Sequence, residues 1–101
     1  MQTRTIIDRI EIEPQTGNVG VRIRKQIVAD DGIILSSDYH RMMIDAGSDP
    51  AAQIAAVNAH LAAMGFAPVE PEDVSLLSSA LAPLAGHRAA KAEEAREKAA
   101  R

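Results

Sequence analysis

Two glycine-bearing turns bracket one alternating run, and together they constrain the chain more than any other feature. The run is VGVRIRKQIV, residues 19–28. Val19, Val21, Ile23 and Ile27 fall on one face, and Arg22, Arg24 and Gln26 on the other. That is the period-2 pattern of a half-buried strand. Upstream, EPQTGN (residues 13–18) offers Pro14 to start a turn and Gly17 to hold a left-handed position. Closing this loop between Glu13 and Asn18 pairs Ile12 with Val19, Ile10 with Val21 and Arg9 with Arg22. Downstream, Asp30-Asp31-Gly32 fits a three-residue hairpin, a type I turn followed by glycine at positive φ. Extended without interruption, that turn pairs Ile27 with Leu35, Ile23 with Tyr39 and Val19 with Met43.

Both registers put apolar residues on one face of the middle strand, so the expectation is a three-stranded antiparallel meander. Tyr39 and Met43 then lie on its core side. The opposite face carries Arg22 across from His40, Arg24 across from Asp38 as an ion pair, and Gln26 across from Ser36. A three-stranded sheet needs a cover. SDPAAQIAAVNAHLAAMGF supplies a helix, with Asp49 as N-cap and Pro50 in the first turn. Ile54, Val57, Leu61 and Met64 form its apolar stripe, and its alanines permit close approach to the sheet. Gly65 and Phe66 form a Schellman end. The fold class expected is therefore α+β: a three-stranded antiparallel meander covered on one face by a helix, followed by a helical C-terminal extension.

The chain divides accordingly into a β-β-β-α domain over residues 1–66 and a linker with an alanine-rich helical extension over 67–101. PEDVSLLSSALAPLAG is a further helix candidate that Pro83 should kink or end. No residue larger than alanine and apolar follows Leu84. The final segment therefore has little with which to build a core, and is expected to stay solvated or to dock on a partner. Ala85, Ala89, Ala92 and Ala99 fall near one face of that helix, and Glu94–Lys98 and Glu97–Arg101 have the spacing of i,i+4 ion pairs.

Composition narrows the function. Fourteen acids against eleven bases give a net charge of −3, and Tyr39 and Phe66 are the only aromatic residues. Neither the basic excess of a nucleic-acid binder nor its stacking platform is present. There is no cysteine, hence no disulfide and no thiol chemistry. No run approaches the length of a membrane span, and the N-terminus lacks the pattern of a signal peptide. His40 next to Arg41 invites a catalytic reading with Asp38 or Asp45 as orienter, but no nucleophile motif accompanies it. The three histidines lie in separate elements without metal-ligand spacing. No enzyme activity, cofactor, metal site or small-molecule substrate is expected. The basic cluster of Arg22 and Arg24, with Arg9 and Arg41, is the first choice for a protein contact surface.

The run TGNVGVRIRKQIVADDGIILSSDYHRMMIDAGSDPAAQIAAV resembles small proteins encoded in the tail gene clusters of tailed bacteriophages and prophages. The shared features are a hairpin with a strand like VRIRKQIV, an Asp-Gly turn, an LSSDYHR strand and a Gly-x-Asp step into an alanine-rich helix. The resemblance covers roughly residues 5–64. It implies a virion component or assembly factor near the tail tip or fibres, made in the host cytoplasm and bound to other tail proteins as a homo- or hetero-oligomer. It also implies that the strand around Tyr39, His40 and Arg41 faces a partner. The contact residues expected on both grounds are Arg22, Arg24, Tyr39, His40, Arg41, Ala85, Ala89 and Ala92. The alternative is a small cytosolic binding module or regulator that holds an acidic ligand on its basic sheet face.

Overall fold

A computed structural model describes all 101 residues. Strands β1 (Gln2–Ile12), β2 (Val19–Val28) and β3 (Ile34–Ile44) form one antiparallel sheet in the order β1-β2-β3. Helices α1 (Pro50–Ala63), α2 (Pro71–Leu81) and α3 (Ala85–Ala99) follow, with a 3₁₀ turn at Ala82–Leu84 between the last two. The molecule is α+β, a meander covered on one face by helix.

Local chemistry accounts for most of these boundaries. In the first hairpin Glu13 N–H donates to Asn18 O (2.9 Å) and Gly17 N–H to Glu13 O (2.8 Å), with Gly17 at φ +74°. Asp49 caps α1 by accepting from Ala51 N–H at 3.1 Å. The same helix ends in a Schellman motif, with Phe66 N–H donating to Leu61 O, Gly65 N–H to Ala62 O, and Gly65 at φ +80°. Pro83 ends α2 as expected, and the chain passes through the 3₁₀ turn before α3 begins.

The register of β3 differs from the expectation. The Asp30–Gly32 turn closes as anticipated, with Ala29 N–H donating to Ile33 O at 2.8 Å. A bulge then inserts one extra residue, Leu35, between the Val28–Ile34 and Ile27–Ser36 pairs. Side chains alternate with a period of two, so a slip of one residue exchanges the faces. Ile23 pairs with His40, Val21 with Met42 and Val19 with Ile44. His40, Met42 and Ile44 therefore lie on the helix-covered side, and Tyr39, Arg41 and Met43 on the open side. Arg24 stands opposite Tyr39, and Asp38 opposite Lys25, 3.9 Å from its Nζ. The expected Arg24–Asp38 pair does not form.

The core extends past Phe66. Val19, Val21, Ile23, Ile44, Ile54 and Leu61 are buried together with Val69, Leu77 and Leu81. Burying each such side chain contributes about 1.5–3 kcal/mol, so the last three are a substantial share of the whole. The segment 67–73 also closes the free edge of β1. Thr5 hydroxyl donates to Ala67 O (2.7 Å), Ala67 N–H to Thr3 Oγ1 (2.9 Å), Glu70 N–H to Thr5 O (2.9 Å) and Ile7 N–H to Asp73 Oδ2 (2.9 Å). Asn58 ties α1 to this segment by accepting from Val69 N–H. The helical cover is thus α1 beside α2. All seven alanines of α1 are exposed, away from the sheet, and so is Met64 at the end of the expected stripe.

Helix α3 is held by polar contacts. Arg88, only 7% exposed, donates from Nε to Gly17 O (3.2 Å) and from Nη2 to Asp45 O (2.8 Å). It bridges the β1–β2 turn and the corner after β3, which Asn18 Oδ1 already joins by accepting from Ala46 N–H. Gly17 permits this approach: a Cβ there would lie 3.0 Å from both the Ala46 and the Lys91 side chains. On α3 the ion pairs are Lys91–Glu94 and Glu93–Arg96, spaced i,i+3. They replace the anticipated i,i+4 pairs, Glu94–Lys98 and Glu97–Arg101.

Candidate functional site: the open face of the sheet

The side of the sheet opposite the helices has no protein cover. Its residues follow from the registers. Arg9, Arg22 and Arg41 are directly paired across the three strands, forming a row of three guanidinium side chains. On one side of this row lie Glu11, Gly20 and Met43; on the other lie Ile6, Arg24 and Tyr39. Like charges opposed across strands are unfavourable, and the fold answers with a second bulge. Asp8 is the extra residue between the Ile7–Ile23 and Arg9–Arg22 pairs.

The Asp8 carboxylate accepts from Arg22 Nε (2.9 Å) and Nη2 (3.1 Å), and its Oδ2 lies 2.9 Å from Arg24 Nη2. The Asp8 side chain is 12% exposed and that of Arg22 24%, so the pair is only partly shielded from water. Hydrogen bonding from Arg22 holds the Asp8 carboxyl below the usual carboxylate range against the opposing effect of burial, with Arg24 adding attraction. The same bond raises the Arg22 guanidinium above its ordinary value. Tyr39 packs over both arginines, with their guanidinium carbons 4.7 and 5.1 Å from the ring centroid, and its hydroxyl accepts from Arg24 Nη2 at 2.9 Å. Arg24 Nε is buried without a hydrogen-bond partner.

The row is not neutralised evenly. Arg9 reaches Glu11 at 3.4 Å, whereas Arg41 has no acidic partner within ion-pair distance. A depression of about 270 Å³ lies beside it, with Gly20 in its lining where a side chain would otherwise project, and Arg9, Glu11, Arg22, Arg41 and Met43 around it. Counted along the registers, the open face carries five arginines (4, 9, 22, 24 and 41) and two acids (8 and 11). The chain as a whole carries −3. Chemically this surface can receive a carboxylate or another anion beside an apolar Met43 contact.

The eight sequence-derived contact residues do not share one surface. Arg22, Arg24, Tyr39 and Arg41 meet on the open face. His40 lies on the other face, where its ring centroid is 6.2 Å from that of His60 on α1. No group of three or more histidine, aspartate or glutamate side chains is placed to hold a metal. Ala85 and Ala89 are exposed on α3, while Ala92 is half-buried beside Gly47. Two residues central to the architecture had not been singled out. Asp8 sits inside an apolar β run, and only its position next to Arg9 hints at charge compensation. Arg88 is one arginine in a polar helix and carries no sequence signal. Comparison with family models, with curated proteins and with solved structures gave no match.

Proposed function

We propose that the protein is a non-catalytic adaptor that binds an acidic surface of another protein through the open face of its sheet. The observation that carries this reading is the Arg9–Arg22–Arg41 row, a basic strip on an acidic chain with Arg41 left unpaired. Asp8 and Tyr39 hold Arg22 and Arg24 in place, so little side-chain freedom remains to be lost on binding. The likeness of residues 5–64 to tail-cluster proteins supplies the setting: a tailed-phage or prophage particle, with proteins of the tail tip or fibres as partners.

The test is incorporation and cross-linking in particles made by the phage or prophage that encodes the chain. The wild-type chain should purify with virions and cross-link to tail proteins through residues of the open face. Arg41→Glu should fold normally and enter particles at a reduced level. A wild-type chain absent from particles and from complexes with tail proteins overturns the tail setting. Incorporation of Arg41→Glu equal to wild type overturns the choice of face.

A further inference from the structure

The two edges of the sheet are treated differently. Residues 67–73 cover the β1 edge with side-chain and main-chain hydrogen bonds, including a parallel bridge between Thr5 and Val69. Nothing covers the β3 edge, where 11 residues run along the margin of the molecule. Exposed strand edges are ordinarily short, bulged, blocked by proline or by charged side chains, lysine above all, or covered. The β3 sequence, ILSSDYHRMMI, has no proline or lysine, and its one bulge, at Leu35, leaves the run from Ser36 to Ile44 unbroken. It also concentrates exposed apolar surface: Ile34, Leu35, Tyr39 and Met43 are each about half exposed.

The order of residues along this strand is self-complementary. With Tyr39 as centre, an antiparallel copy places Tyr39 against Tyr39, Asp38 against His40 and Ser37 against Arg41, within the regular run that follows the bulge at Leu35. Each pair joins residues of one face, as opposed residues in an antiparallel ladder must. The acid at 38 meets the base at 40, and Met43 lies beyond them on the same face as Tyr39. Centring the pairing on residue 38 or 40 would shift the register by two positions and set Asp38 or His40 against its own copy. The backbone phase also fits. Ile33 O faces β2, and the one-residue bulge at Leu35 turns the main-chain groups of the odd-numbered residues after it toward the edge. Tyr39 N–H there donates to the Asp38 carboxylate (2.9 Å), a bond that pairing exchanges for a main-chain one. Tyr39 and its copy would then exchange both main-chain bonds. Asp38 and His40 would form the closer, non-hydrogen-bonded pairs.

We infer that β3 is a dimerisation edge, pairing antiparallel with β3 of a second copy about a two-fold axis at Tyr39. The result is a continuous six-stranded sheet. With the axis perpendicular to that sheet, both arginine rows lie on one face and both helical covers on the other. The inference stands apart from the proposed tail role, because it concerns only the purified chain.

The chain has no cysteine, so single cysteines report the register directly. In sedimentation equilibrium at micromolar concentrations the wild type should show twice its 10.8 kDa mass. Tyr39→Cys, on the axis, should cross-link to itself under mild oxidation or with a short bis-maleimide. Ser37→Cys and Arg41→Cys should each cross-link poorly alone and efficiently when mixed, a pair that retains Tyr39 in both copies. A wild-type chain that stays monomeric through the micromolar range overturns the inference. So does a dimer in which the mixed Ser37→Cys and Arg41→Cys variants fail to cross-link, or one in which each links to itself as readily as to the other.

Discussion

Replacing Arg88 with alanine should release α3 while leaving the rest of the molecule folded. Arg88 makes the two bonds that join α3 to Gly17 O and Asp45 O. Hydrogen bonds to a charged group contribute about 1.5–3 kcal/mol each, and ordering an arginine side chain costs about 2 kcal/mol. The anchor is therefore worth about 1–4 kcal/mol to docking by this accounting. Little else would replace it. The helix has no apolar residue larger than alanine, and its other ties are the half-buried Ala92, the Lys91 stem beside Gly17 and a His87 contact to Pro14 O at an exposed site. An isolated helix of this length is marginal in water even when rich in alanine. Undocking should thus also fray it. Since α3 holds 15 of the 40 α-helical residues, the far-UV helical signal should fall visibly. Amide hydrogen exchange is the sharper assay: residues 88–99 should exchange close to the unprotected rate, while Ile23 and Leu77 keep their protection. Arg88→Lys should behave nearly as alanine does, because one ammonium cannot span both carbonyls as the guanidinium fork does. Wild-type protection of α3 in Arg88→Ala would refute the reasoning and require another anchor.

Two further outcomes are expected. The Asp8 carboxyl has its pKa lowered in the folded state, so its contribution to stability is fully present above the unfolded value of 3.8 and is lost as pH falls through the folded value below it. Urea midpoints measured from neutral pH into acid should accordingly be lower for Asp8→Asn than for wild type at neutral pH and converge with it in the acid limb; parallel curves would remove the role given to this carboxylate. Leu77→Ala should destabilise by about 2–5 kcal/mol, whereas Leu76→Ala next to it, at 63% exposed, should change stability by no more than about 0.5 kcal/mol. Denaturant unfolding of the pair checks whether α2 belongs to the core, and equal small effects would count against it.

The elements that were legible in the sequence are those written in single-residue chemistry. Gly17, Gly32 and Gly65 mark three positive-φ positions, Asp49 and Pro50 mark a helix start, and Pro83 marks a helix end. Each acts locally, so the residue type alone carries the information. The register of β3 was not legible because bulges have no comparable signature. The turn at Asp30–Gly32 was right, but one extra residue after it exchanged the faces of Tyr39 and His40. The alternation of β3 did not protest, since α1 covers only its C-terminal half and Ser36 and Asp38 remain exposed on the covered side. The basic cluster was legible as a cluster because Arg22 and Arg24 belong to the regular part of β2. Its internal counter-charge was hidden in the other bulge, at Asp8. Arg88 could not be found at all, because its two acceptors are main-chain carbonyls from loops more than 40 residues away.

The seal on the β1 edge has a consequence for the order of events in folding. Both ladders of the meander lie within residues 2–44 and are local hairpins. Yet the main-chain and side-chain groups of Thr3, Thr5 and Ile7 find their partners only at Ala67, Glu70 and Asp73. During vectorial synthesis β1 leaves the ribosome well before the segment 67–73 that completes its edge. Until residues 67–73 are in place both margins of the sheet lack partners, and afterwards only the β3 edge does.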